Sequence, residues 1–277
     1  MFSFRDLVRT TAACSAVLAA CIATVGGPAQ AQVSGGFNSS RPAIRIEYWQ
    51  KRLNEIEQRL AATESLEPIK VLFLGDSITD FWTMGANPWF PGAVGGLSIW
   101  NESFAGGDPL NLGLNLGISG DRTEHVLYRI LPASDGGLGE LDRPDLDPEV
   151  IVLLIGINNS WDAETPVVDS VVDGIRAVTA AVHARKPEAL IVLQSLLPTN
   201  EPGRNEDVVV PVNAALAAFA SESPQAAHVR FLDLYPVFLD EHGGQNRAFF
   251  MDGVHPNERG YRAWRDRLIP FLAEIRQ

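Results

Sequence analysis

Two spacings of apolar residues alternate along the chain. Short unbroken apolar runs at 71–74, 150–155 and 190–193 (Val71-Leu72-Phe73-Leu74 is the first) predict strands buried on both faces. Weaker strand patterns occur at 115–118 and 228–234. Between these runs apolar residues recur every three or four positions. Trp49, Leu53, Ile56 and Leu60 do so among Lys, Arg and Glu in 44–62, and Val167, Val171, Ile175, Val178 and Val182 do so ahead of Pro187. Tyr261, Trp264, Leu268 and Leu272 repeat the pattern near the end, behind a Pro256 that suits a first helical turn. Each such set predicts a helix that buries one stripe, and shorter helices are expected at 123–131 and 212–220. Strands alternating with helices predict a three-layer α/β/α sandwich around a mostly parallel sheet.

The first 31 residues do not fit this alternation. Arg5 and Arg9 precede an apolar run at 10–25, and Ala29-Gln30-Ala31 supplies a small-residue cleavage site, so 1–31 reads as a signal peptide. The run is too short to span a bilayer. Export to the periplasm or the medium is therefore expected. The alternative is a lipoprotein anchored through Cys21, since Leu18-Ala19-Ala20-Cys21 resembles a lipidation box. Both cysteines, Cys14 and Cys21, fall in this segment, which leaves the mature chain without a thiol nucleophile or a disulfide. Residues 32–66 are expected to form a small, polar, flexible lead-in (32–40) followed by the first amphipathic helix, and 67–277 the main domain.

Composition narrows the partners. With 46% hydrophobic and 20% charged residues the chain is a folded globular one. Its net charge of −12 argues against nucleic acid or an anionic membrane surface. No His, Asp or Glu set has metal-site spacing and no glycine-rich loop suits a nucleotide, so neither metal nor cofactor is expected.

What remains points to an activated serine. The first strand runs into Gly75-Asp76-Ser77, which places a hydroxyl at the carboxyl end of a core strand, where open α/β sheets hold their ligands. A serine needs a base and the base needs an orienting group; His255, three residues after Asp252, supplies both from one loop. Donors for an oxyanion are available from the N–H groups of Ser77 and Gly117 and the side-chain amide of Asn158, each at or just past a predicted strand. Asp76 reads as a turn-stabilising carboxylate, and His125, His183, His228 and His242 as surface or structural residues. The long connection 80–112 is rich in aromatics, of which Trp82 is the one expected beside Ser77.

Taken in order, Gly75-Asp76-Ser77, Gly117, Gly156-Ile157-Asn158-Asn159 and Asp252-Gly253-Val254-His255-Pro256 resemble the four blocks of the SGNH (GDSL-type) hydrolases, over most of 70–272. Asn115-Leu116-Gly117-Ile118 with Gly120-Asp121, together with Asn159, resembles the platelet-activating-factor acetylhydrolase-like branch. Ile157 and Ser119 stand where that pattern often has Thr and Gly; neither change removes a catalytic group. The resemblance implies a flavodoxin-like sandwich, with Ser77 as nucleophile, His255 as base, Asp252 as its orienter, and Ser77, Gly117 and Asn158 as the oxyanion hole. Trp82 and Asn159 become candidate substrate contacts. The expected activity is hydrolysis of a short-chain acyl ester, on a small-molecule, carbohydrate or lipid alcohol, through an acyl-enzyme. Two alternatives stay open: an envelope acyltransferase acting on sugar hydroxyls, and a catalytically silent carbohydrate- or lipid-binding domain.

Overall fold

The computed structural model describes residues 36–45, 48–161 and 164–277. The signal-peptide and lipidation readings, with Cys14 and Cys21, lie outside the described residues. Five parallel strands, β1 (Val71–Gly75), β2 (Gly113–Asn115), β3 (Val150–Leu154), β4 (Leu190–Gln194) and β5 (Val229–Leu232), form one sheet in the order β2-β1-β3-β4-β5. Every residue of β1 and β3 is buried, which is why these strands read as continuous apolar runs rather than alternating ones. β2 begins at Gly113, two residues before the run at 115–118. A side chain at Gly113 would press into the Trp100 ring and the Phe104 Cβ, residues whose rings already pack edge-on against Phe73 of β1.

Seven helices bear on the sheet and its site: α1 (Tyr48–Ala62), α2 (Ser77–Asp80), α3 (Leu97–Ser103), α4 (Thr123–Ile130), α5 (Val167–Arg185), α6 (Val210–Ser221) and α7 (Glu258–Ile275). α5 buries Val171, Ile175, Val178 and Val182; α7 buries Tyr261, Trp264, Leu268 and Leu272. The helices flank the sheet and complete the three layers. Pro256 stays outside α7. Asn257 caps that helix instead, its side chain accepting from the N–H groups of Arg259 and Gly260, while Pro256 bridges to Phe250. Among the described residues no helix is long and apolar enough to cross a membrane.

The segment ahead of α1 departs from the flexible lead-in expected of it. Ser39 and Ser40 are buried. Ser39 Oγ donates to Ser170 O (2.7 Å), Thr123 Oγ1 donates to Ser39 O (2.7 Å), and Glu164 accepts from the N–H of Asn38. Farther on, Ala43 N–H donates to Glu124 O (2.9 Å). Residues 36–45 thus form a strap tied to α4 and α5 by specific polar bonds that composition does not reveal.

The strand order sets the position of any site. From β1 the chain crosses to β2 on one side and then to β3 on the other, so the order reverses between β1 and β3. A crevice opens at the carboxyl ends of strands flanking such a switch point. Ser77 follows β1 and Asn158 follows β3.

Candidate active site

Sterics shape the turn after β1. A side chain at Gly75 would collide with the carbonyl of Leu154 and with Thr79. Asp76 then caps α2, its Oδ1 accepting the N–H of Ile78 (2.9 Å). Ser77 is the first helical residue, so its N–H is one of the amides that no preceding turn can satisfy. Tyr261 Oη from α7 donates to Ile78 O (2.8 Å) and braces the turn from behind.

A loop ahead of α7 faces the serine. His255 Nε2 lies 2.8 Å from Ser77 Oγ, and His255 Nδ1 lies 2.7 Å from Asp252 Oδ2. The second carboxylate oxygen of Asp252 accepts the N–H groups of Val254 (2.7 Å) and His255 (2.6 Å). Partial burial alone would raise Asp252, but the His255 ring and these two N–H groups outweigh it and hold the carboxyl below its ordinary value. It is therefore an anion at neutral pH, aimed at the far nitrogen of the imidazole.

The opposite wall is a loop, 116–121, held by charged side chains. Asp80 Oδ2 accepts from Ser119 N–H (3.1 Å) and Ser119 Oγ (2.7 Å). Arg52 Nε reaches both Asp80 Oδ1 (3.0 Å) and Gly117 O (3.2 Å). Arg129, fully buried, pairs with Asp121 (3.0 Å) and Glu140 (3.1 Å) and donates to Leu116 O. Burial pushes both Asp121 and Glu140 upward, opposed chiefly by that guanidinium. Arg45, brought in by the strap, donates to Ser119 O (2.9 Å). Asn158 Nδ2 donates to Asp121 O (2.8 Å), which fixes the amide and leaves its second N–H for the cleft.

Ser77, His255, Asp252 and Asn158 therefore converge, whereas three other sequence-based assignments need correction. Gly117 is not placed to donate: its N–H donates to Asn115 Oδ1 (2.8 Å), and the residue is buried against Asp80. The glycine that lines the cleft is Gly120, with φ +80°. Among the described residues no hydrogen bond engages its N–H. Trp82 is fully buried among Trp100, Phe104, Tyr261 and Trp264. One residue earlier, Phe81 faces the site, its ring 5.0 Å from that of His255 and stacked on Trp89. Asn159 is also buried, accepting from Thr123 N–H (3.1 Å) and donating to Glu124 (2.9 Å), so it ties β3 to α4 rather than lining the cleft.

The cleft above Ser77 measures about 360 Å³, with Phe81, Trp89 and Phe90 on the histidine side and Arg45, Ser119, Gly120 and Asn158 on the other. Phe81 was legible, because the residue four positions after Ser77 shares its helical face. Arg45 and Gly120 lie in tertiary contacts that no short-range pattern marks. The remaining histidines stand apart: His183 and His228 stack on each other, and His125 Nδ1 accepts the N–H of Arg122.

Comparison with known proteins identifies the family and the fold. Residues 73–263 match the profile of the GDSL-like Lipase/Acylhydrolase family. Platelet-activating factor acetylhydrolase IB subunit alpha1 of Homo sapiens is 29% identical over 228 residues, covering 80% of this chain and 85% of that protein. The alpha2 subunit of Rattus norvegicus is 31% identical over 192 residues, covering 69% and 70%. Among solved structures, a GDSL-like lipase from Bacteroides thetaiotaomicron superposes with a TM-score of 0.55 at 22% identity, over 82% of this chain and 98% of that one. An acetyl-xylooligosaccharide esterase from Geobacillus gives 0.51 at 19% identity, over 74% and 94%. At these identities the two structures speak to the fold.

Proposed function

Because the chain belongs to the GDSL-like lipase/acylhydrolase family and is thereby an ester-bond hydrolase, we propose that it acts as a serine esterase through Ser77, His255 and Asp252. The observation that carries this reading is the unbroken chain of contacts from Asp252 through His255 to Ser77 Oγ, at 2.7 and 2.8 Å. Ser77 Oγ attacks the ester carbonyl carbon while its proton passes to His255 Nε2. Asp252 holds the ring so that Nε2 is the free acceptor and stabilises the imidazolium that forms. The carbonyl oxygen becomes an anion facing the N–H groups of Ser77 and Gly120 and the free N–H of Asn158. Collapse of this intermediate expels the alcohol, which takes the proton from His255, and leaves the acyl group on Ser77. Water activated by His255 then releases the acid by the same steps.

A short acyl group, acetyl first among them, fits a modest cleft walled by Phe81 and Phe90. It also agrees with the acetyl-releasing activities that the names of two relatives state, the acetylhydrolase subunits and the acetyl-xylooligosaccharide esterase. Ser77→Ala should abolish p-nitrophenyl acetate hydrolysis and fluorophosphonate labelling while the fold persists, since loss of a triad member costs on the order of 10³-fold or more. Retention of a tenth of the activity would overturn the mechanism. We place the mature protein outside the cytoplasm, on the pattern of residues 1–31. N-terminal sequencing of exported material should start at or near Gln32; a lipid-modified Cys21 would replace soluble export with anchoring.

A further inference from the structure

The Ser119–Gly120 peptide has its two ends in different hands. Gly120 lines the cleft and its N–H has no hydrogen bond among the described residues; the carbonyl, from Ser119, accepts a hydrogen bond from Arg45 Nη1 at 2.9 Å. The same nitrogen lies 3.8 Å from Asp121 Oδ1, too far for a hydrogen bond. Asp121 is instead held by Arg129 at 3.0 Å. Arg45 therefore spends its donor on a neutral carbonyl although a carboxylate stands beside it. The guanidinium as a whole, both terminal nitrogens and Cζ, packs against the face of Gly120 where a side chain would be, and the side chain remains 30% exposed on the cleft wall.

We propose that Arg45 is a positioning residue for the oxyanion hole, one that orients and polarises the peptide whose N–H is donated by Gly120. The inference rests on the serine-esterase reading above and adds to it a residue that does not touch the reacting atoms. A peptide is a resonance unit, so a charged donor on its oxygen draws density from its nitrogen and makes the N–H a better donor. Hydrogen bonds chained through one amide strengthen each other in this way. Orientation matters equally. Asp80 fixes Ser119 from the N–H and hydroxyl side. The carbonyl is the end left to turn, and Gly120, at φ +80°, has no side chain to resist rotation. Arg45 closes that freedom. Its anchorage is independent of the loop it holds, because the strap is tied to α4 through Ala43, to α5 through Ser39, and to Glu164 ahead of α5 through Asn38.

The test compares Arg45→Ala, Arg45→Lys and Asn158→Ala in the full chain, using p-nitrophenyl acetate, a negatively charged acetyl ester, and a trifluoromethyl ketone that adds to Ser77 as an oxyanion. Arg45→Ala should lower kcat about 10-fold, a fraction of the loss for deleting a whole donor, with KM moved less than about two-fold. Ketone affinity should fall by the same factor as kcat/KM, the pH midpoint should stay in place, and guanidinium ion or Arg45→Lys should restore part of the rate. Rates are expressed per active site titrated with fluorophosphonate. Unchanged kcat per site, with the deficit confined to the count of sites or to melting temperature, would overturn the proposal in favour of plain folding. A loss several times greater for the anionic ester than for the neutral one would overturn it in favour of substrate-charge recognition. If Asn158→Ala and Ser77→Ala were both active, the serine reading itself would fall; if both are impaired while Arg45→Ala is not, the Arg45 proposal falls alone.

Discussion

The loop that supplies the base and the loop that faces it across Ser77 are built in contrasting ways. The base loop is assembled from neighbours in sequence: Asp252 satisfies the N–H groups of Val254 and His255 with one oxygen and meets the His255 ring with the other. These contacts close within four residues, and from farther off the Asn200 N–H and Gln245 Nε2 add only bonds to the Gly253 carbonyl. The 116–121 loop has little internal bonding. It takes its shape from Asp80, Arg52, Arg129, Arg45 and Asn158, which arrive from five separate places in the chain. A local construction tolerates change elsewhere in the molecule and fails when one of its own residues is lost. A suspended one spreads its dependence over remote residues, each holding part of the load.

The largest effect should come from striking the local loop at its centre. Asp252→Asn keeps a side chain of the same shape but presents an amide where the imidazole needs an anion. It should reduce kcat/KM for p-nitrophenyl acetate by roughly 10³–10⁴. A nearly silent variant would reduce the catalytic set to Ser77 and His255. On the suspended side, Asn158→Ala removes one proposed oxyanion donor and should lower kcat by roughly 10²–10³ with the pH midpoint in place. A displaced midpoint would mean that Asn158 acts on the base instead.

The two glycines of the suspended loop separate shape from chemistry. A side chain at Gly117 would meet backbone atoms of Thr79 and Asp80, which cannot move aside, so Gly117→Ala should lower the melting temperature, at a cost of about 1–3 kcal/mol. At Gly120 the obstacle is the end of the flexible Arg45 side chain. Alanine at Gly120 also bears the strain of φ +80°, about 1–2 kcal/mol, so both variants should be destabilised and Gly120→Ala is the one that should lose more of its turnover per folded molecule. Paired thermal melts and active-site titration read this directly; equal behaviour of the two variants would erase the distinction between them.

The smallest effect concerns Asp76, beneath the serine. Burial raises this carboxyl from 3.8 to about 7, opposed by the Ile78 N–H and the nearby His255, and its Oδ2 has no hydrogen-bond partner among the described residues. Because the folded pKa is the higher one, the unfolded chain loses this proton near pH 4 while the fold keeps it until about pH 7. The contribution of Asp76 to stability is thus complete below pH 4 and is lost as pH rises through 7. Asp76→Asn stays neutral and should flatten the decline of melting temperature between pH 4 and 8. An unchanged slope would show that Asp76 is already ionised in the folded protein.

The same contrast decides how much was legible beforehand. Apolar runs marked β1, β3 and β4, and with them the places of Ser77 and Asn158, because strands buried on both faces leave no other pattern. His255 and Asp252 were legible because their relation is local. Choosing between Gly117 and Gly120 was not possible from spacing, since what disqualifies Gly117 is the Asn115 side chain on its N–H. Trp82 was displaced by its neighbour for a simpler reason: successive helical residues point about 100° apart, so only one of Phe81 and Trp82 can face the serine. The strap was read as loose because small polar residues usually are. Here Ser39 finds a buried partner in Ser170 and Asn38 a half-buried one in Glu164, each more than a hundred positions away.

The brace from Tyr261 to the serine turn also orders events in time. Ser77 is synthesised early, yet the phenol that holds its turn and the imidazole that contacts it come 184 and 178 positions later, the last of them within α7. On the serine-esterase reading proposed above, a nascent chain emerging from a ribosome carries the nucleophile long before it carries anything able to activate it. On that reading hydrolytic capacity arrives all at once, with the 252–255 loop and α7, and a chain cut short before 255 would hold a serine with no chemistry.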